Sequence, residues 1–119
     1  MKKNKKADRS LRYNEGKLKW HNFPLFLLKP LIGVADYGSI KYKSFNFLKS
    51  APILEPLDSL KRHLEQFENP YESDLDKESQ QNHLAHVAWN ALFALYILNY
   101  TPEFDNRYKV SKIKTKKKK

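Results

Sequence analysis

Apolar residues recur along the middle of the chain with the period of a helix, not that of a strand. Ile53, Leu57, Leu60, Leu64 and Phe67 follow one another at spacings of four, three, four and three, which predicts an amphipathic helix over Leu54 to Phe67. Its other face carries Glu55, Asp58, Arg62 and Glu65, and Asn69-Pro70 closes it. A longer helix is predicted from Lys77 to Tyr100. It has no charged residue between Ser79 and Pro102 and is apolar nearly all round beyond its first turns. Ahead of these, Phe23 to Tyr37 reads as a first helix, with Asn22 as cap, Pro24 in the first turn, Gly38 as stop and a kink or restart at Pro30. Ser39 to Pro52 shows neither alternation nor helical period and reads as a structured loop or short helical turn.

The pattern predicts an all-α fold, a small bundle of three to four main helices. Two partners of this length cannot cover a helix that is apolar on every side. The bundle is therefore expected to be completed by oligomerisation, as a dimer or larger assembly.

A length of 119 residues allows one domain, placed at 12–106 between basic tails at 1–11 and 107–119, both expected to be disordered. Charge supports that division. The net charge is +10, but residues 1–12 hold six basic side chains and one acid, and residues 107–119 hold eight basic side chains and no acid, which leaves the middle at −3. The tails could give weak, salt-sensitive contact with nucleic acid. A small basic nucleic-acid-binding protein is accordingly the alternative function, with tails that merely aid solubility as the plainer reading. There is no cysteine, so disulfides, thiolate zinc sites and a cysteine nucleophile are excluded. No apolar signal core or membrane span is seen, and a soluble, cytoplasmic protein with no membrane partner is expected.

Candidate chemistry gathers between Tyr71 and Leu98. An acidic loop there runs into the third helix, where His83, His86 and Asn90 fall within about 60° of one another on a helical wheel. Folding the second helix back along the third would bring Asp58, Glu65, Glu72, Asp76 and Glu78 near the two imidazoles. Oxygen donors favour magnesium or manganese, and imidazole tilts the choice toward manganese or another transition metal. Each residue also has a plainer role. Histidines near an apolar face are commonly hydrogen-bonded core residues, Asp58 and Arg62 suit an i,i+4 surface pair, and Asp76 and Glu78 suit the positive end of a helix.

Several runs together carry a resemblance: Arg-Tyr-Asn-Glu-Gly-Lys (12–17), Tyr-Gly-Ser-Ile-Lys-Tyr (37–42) with Asn46 following, Asp-Ser-Leu-Lys-Arg-His (58–63), and Glu-Ser-Gln-Gln-Asn-His-Leu-Ala-His-Val-Ala-Trp-Asn (78–90). Over residues 12 to about 100 the chain resembles the phage and bacterial dATP/dGTP diphosphohydrolases. That family is similar to the all-α MazG-type pyrophosphohydrolases, which often assemble as dimers or tetramers. The resemblance implies metal-dependent cleavage of a deoxypurine nucleoside triphosphate to the monophosphate and pyrophosphate, with Mg2+ or Mn2+, in the host cytoplasm if the chain is phage-encoded.

By the same resemblance, Asp58, Glu78, His83 and His86 bind metal, with Asp58, Glu78 and His83 as the catalytic group. Lys17, Lys41 and Arg62 counter triphosphate charge, and Arg12, Asn14, Asn46 and Asn90 complete the substrate-binding set. The loop Lys41 to Phe47 is expected to supply base recognition, although for Phe45 or Phe47 taken alone an anchor in the core is the plainer reading. Two departures stand out. His83-Leu-Ala-His86 occupies the place of a MazG Glu-x-x-Asp pair, and Gln80 stands where relatives commonly have glycine. Triphosphohydrolases of the HD type need a His-Asp dipeptide, and this chain has none.

Overall fold

The computed structural model describes residues 8–110. It is a small all-α fold built on α1 (Lys29–Lys41), α2 (Leu54–Glu68) and α3 (His83–Tyr100), with short 3-10 turns at Trp20–Asn22, Leu25–Leu28, Asn46–Lys49 and Pro102–Phe104. Residues 1–7 and 111–119, which contain most of the two expected tails, lie outside the described residues.

α2 and α3 form an antiparallel pair. Ile53, at the start of α2, packs with Ala94 and Ile97 near the end of α3, Ser59 meets Asn90, and His63 meets His83. The four-three stripe of α2 seats its apolar side on α3, with Leu57, Phe93, Tyr96 and Phe104 packed around the centre. Ile53 and Ile97 are fully buried, and each contributes about 1.5–3 kcal/mol by leaving water. No side chain of its own caps α2 at Ile53. Instead the segment after α3 supplies acceptors: the Ile53 N–H donates to the Phe104 carbonyl at 2.9 Å, and the Leu54 N–H to Asn106 Oδ1 at 3.2 Å. That segment is clamped in turn, because Arg107 and Lys109 both donate to the Asp105 carboxylate.

Three expected helix boundaries move. α1 begins at Lys29 rather than Phe23, because Pro30 has no N–H and is tolerated only in a first turn; Leu25–Leu28 winds as a 3-10 turn ahead of it. Gly38 does not stop α1. Its carbonyl accepts the Tyr42 N–H at 2.8 Å, and the chain leaves the helix through Lys43 (φ 126°) and Phe45 (φ 65°). α3 begins at His83 rather than Lys77. Its cap is Asn82, whose side chain accepts the Leu84 N–H at 2.7 Å, and residues 74–82 fold back on themselves through a Leu75–Asn82 antiparallel bridge.

α3 is less covered than its composition demands. Leu84, Leu92, Leu95 and Leu98 are 37–51% exposed, and every residue from 8 to 27 is exposed, including Leu11, Leu18, Trp20 and Phe26. No helix among the described residues is long and apolar enough to cross a membrane.

Candidate active site

Because α2 and α3 run antiparallel in this register, the last turns of α2 face the first turns of α3, and three imidazoles meet. His63 on α2 places its Nδ1 2.9 Å from Nδ1 of His83, and its ring stacks on His86 at 4.2 Å between centroids and 7° between planes. His83 and His86 are buried. Asp76 approaches from the loop before α3, and one donor atom each from His63, Asp76 and His83 lie within 4.8 Å of one another, a grouping suited to a metal ion.

Ser79 organises the loop side of this cluster. Its N–H donates to Asp76 Oδ2 at 2.8 Å, and its hydroxyl is hydrogen-bonded to His86 Nε2 at 2.7 Å. His86 Nε2 lies 3.9 Å from the same Asp76 oxygen. Burial, then the neighbouring His86 ring, pushes His63 down to about 4 against the opposing pull of Asp76; it is neutral at physiological pH. Burial lowers His86 as well, again opposed by Asp76. For Asp76 burial acts upward, but the Ser79 hydrogen bonds and the adjacent histidines outweigh it and hold the carboxyl below its ordinary value.

The cluster forms one end of a cavity of about 800 Å³, within the range of small-molecule sites. α2 lines it with Glu55, Ser59, Arg62 and Gln66, α3 with His86, Trp89, Asn90 and Phe93, and the chain from Val34 to Phe47 closes the far wall. At its mouth Lys41 Nζ pairs with Glu78 Oε2 at 2.9 Å and lies over the rings of Tyr37 and Tyr42. Both charged groups are exposed, so the pair itself is weak. The Tyr37 hydroxyl is buried and has no hydrogen-bond partner. It comes close enough to Glu78 to help hold that carboxyl below its ordinary value, with Lys41 adding to the effect, but short of bonding geometry.

The loop opposite is held by aromatic contact and by backbone of restricted type. Phe47 packs edge-on against Trp89 at 5.0 Å and against Phe93 and Tyr96, while Tyr96 donates to the Leu48 carbonyl at 2.8 Å. Phe47 thus anchors the loop, whereas Phe45 is 71% exposed at the cavity edge. Lys43, Phe45 and Ser50 all have positive φ, a concentration of costly conformations that needs the anchoring to persist.

Of the residues singled out from sequence, the fold brings Lys41, Asn46, Arg62, Glu78, His86 and Asn90 to this one cavity, with His83 joined to it through His63. Asn90 is buried and donates to Ser59 Oγ at 3.2 Å and the His86 carbonyl at 2.8 Å. Asp58 lies on the exposed flank of α2, beside the lining residues Glu55, Ser59 and Arg62, and makes no ion pair with Arg62 among the described residues. Arg12, Asn14 and Lys17 lie in the exposed N-terminal segment, away from the lining; there Gly16 (φ 81°) supplies the left-handed residue of a turn closed by Lys17 N–H to Asn14 O at 3.0 Å.

His63 is the cluster member that the sequence pattern does not single out, whereas Asp76, one of the acids expected near the imidazoles, joins the cluster itself and not merely the positive end of the helix. His63 closes the run Asp58–His63 one turn after Ser59, but only the register of α2 on α3 distinguishes it from an ordinary half-buried histidine. Ser79 does not cap α3, which Asn82 does, and binds the cluster.

The whole of this constellation lies within residues 7–107, which match the family model described as dATP/dGTP diphosphohydrolase, N-terminal. The chain belongs to that family. No curated protein and no solved structure matches the chain. Within this chain the Gln80 departure has a physical consequence. Gln80 sits at φ 63°, a region in which glycine is free and other residues are strained. Gln80→Gly is expected to raise stability by about 0.5–1 kcal/mol, since the contact given up is one exposed bond to the Lys77 carbonyl. A denaturation midpoint below wild type would contradict this.

Proposed function

We propose that this chain hydrolyses a deoxypurine nucleoside triphosphate, dATP or dGTP, to the monophosphate and pyrophosphate. The observation that carries the reading, beside family membership, is the single cavity that joins cationic Lys41 and Arg62, the carboxylates Glu55, Asp76 and Glu78, and the anchored loop with exposed Phe45. Glu55 and Glu78 offer the hard oxygen donors that magnesium or manganese accepts. When bound with the triphosphate, such an ion withdraws charge from the phosphate oxygens.

The chain's own residues do the rest. Arg62 and Lys41 hold the polyphosphate, Lys41 exchanging its bond to Glu78 for one to phosphate oxygen. The buried Tyr37 hydroxyl gains the acceptor it lacks. Freed of Lys41, Glu78 takes a proton from the water that attacks the α-phosphorus; the bond from that phosphorus to the bridging oxygen breaks and pyrophosphate leaves. Phe45 stacks on the base and Asn46 offers its amide edge to the purine. Asp58 stands as a further acidic group at the rim, and Arg12, Asn14 and Lys17 as substrate contacts brought in by the N-terminal segment.

Incubation with single deoxynucleoside triphosphates and magnesium or manganese, with pyrophosphate resolved from phosphate and tripolyphosphate, tests this directly. Pyrophosphate from dATP or dGTP is expected. Tripolyphosphate, or no hydrolysis of any of them, would defeat the reading.

The same reading includes a dimer or larger assembly, favoured by the exposed leucines of α3 and the exposed apolar residues of 8–27. Light scattering at micromolar concentration is expected to give at least twice the monomer mass of 14.1 kDa. A clean monomer would sink the assembly and leave the activity to stand on its own assay.

A further inference from the structure

We propose that His63, Asp76 and His83 hold a transition-metal ion of the zinc, cobalt, nickel or ferrous class, separate from the magnesium or manganese that accompanies the triphosphate. The inference rests on the proposed hydrolase reading only for what the ion would serve; the site itself stands on the geometry of three side chains.

Each ligand comes from a different element: His63 from α2, His83 from the start of α3 and Asp76 from the loop between them. Their convergence is a property of the folded register. The two Nδ1 atoms face each other at 2.9 Å, a separation open to two nitrogens that share one ion at bonds of about 2.0–2.1 Å. In the ion-free chain the same distance requires one ring to donate N–H to the other. The metal-bound and the hydrogen-bonded pair differ in what else they can bind.

The surroundings are those of a supported ligand set. Ser79 fixes the Asp76 carboxylate through its N–H and His86 through its hydroxyl, and His86 stacks flat on His63 and sets the orientation of that ring. Partners behind the ligands that lock rotamers in this way are a regular feature of metal centres. Donor chemistry then selects the ion. Magnesium takes near-octahedral oxygen sets and keeps several waters, whereas two imidazoles with one carboxylate suit zinc and its first-row neighbours. The carboxylates at the cavity mouth remain for the harder ion.

The test uses full-length protein stripped by chelator, with cobalt(II) as the probe in the absence of nucleotide. One equivalent is expected to bind, with visible d–d absorption and paramagnetic displacement of the His63, His83 and His86 ring resonances. The resonances of His21, which lies exposed outside the cavity, should not move. Zinc should displace the cobalt, and millimolar magnesium should not. His63→Gln and Asp76→Asn are each expected to weaken cobalt binding by about 100-fold.

Three results would overturn the proposal: no cobalt bound, binding that moves His21 instead, or binding equally displaced by magnesium. The cluster would then be a hydrogen-bonded histidine pair only. The ring-resonance readout is taken on the unmodified chain, so a variant that fails to fold does not blunt the test. Cobalt binding without any hydrolysis would leave this site standing while the proposed activity falls; hydrolysis by a protein that binds no cobalt would do the reverse.

Discussion

His83→Ala is expected to lower kcat/KM for deoxypurine triphosphate hydrolysis by roughly 10³-fold, which corresponds to ~4 kcal/mol of transition-state stabilisation. His83 is 3% exposed, and its Nδ1 is the partner of His63 at 2.9 Å. Removing it leaves a half-buried His63 nitrogen without its partner and deletes one of three converging donors. The His63 ring is then held only by its stack on His86, so the damage extends to the Asp76–Ser79–His86 wall. Helical content should persist, because His83 lies in the first turn of α3 while the aliphatic core lies toward its far end. His21→Ala serves as the control, with kcat/KM unchanged. Activity of His83→Ala within tenfold of wild type, in a protein with native circular dichroism, would remove the cluster from the reaction.

The largest stability effect is expected at the other end of the same helix. Ile97→Ala should destabilise the fold by about 3–4 kcal/mol, a transfer loss together with a cavity that rigid neighbours cannot close. Ile97 is 0% exposed, and packs with Ile53 and Ala94 among Leu57, Phe93, Tyr96 and Phe104. For a domain of this size that is a fall in Tm of roughly 15–20 °C, a large share of a total stability of about 5–15 kcal/mol. Leu95, two residues away, is 51% exposed, and Leu95→Ala should cost the isolated chain no more than about 0.5 kcal/mol. Differential scanning calorimetry distinguishes the two variants. A loss at Leu95 comparable to that at Ile97, growing with protein concentration, would show that this face is covered by a second copy. Equal, small losses at both positions would mean that the core does not lie where Ile97 places it.

Much of the fold was legible in the chain because helical periodicity is a local property. The spacing Ile53, Leu57, Leu60, Leu64, Phe67 already gives the apolar face of α2, and a stretch free of charge from Gln80 to Thr101 already requires α3 to be central or shared. Boundaries were less legible. Lys77 to Asn82 contains no helix breaker, and an acidic, polar run before an apolar helix resembles a first turn. What stops the helix at His83 is a left-handed Gln80, an Asn82 cap and a bridge to Leu75, each decided by contacts with the rest of the loop.

The site divides along the same line. Sequence by itself determined the donor types, a helix-borne His-x-x-His, an acidic loop, scattered cations and an aromatic segment, together with the order of motifs that marks the family. Their partners it did not determine. Whether His83 pairs with His63 or with a carboxylate, whether Ser79 caps a helix or orients Asp76 and His86, and whether Phe47 or Phe45 anchors the loop all depend on the register of α2 against α3. That register is set by Ile53 finding Ile97 at the opposite end of the bundle. The physical reason is range. Periodicity and capping act within a few residues, whereas the histidine cluster joins side chains twenty residues apart in sequence through core packing at its far end.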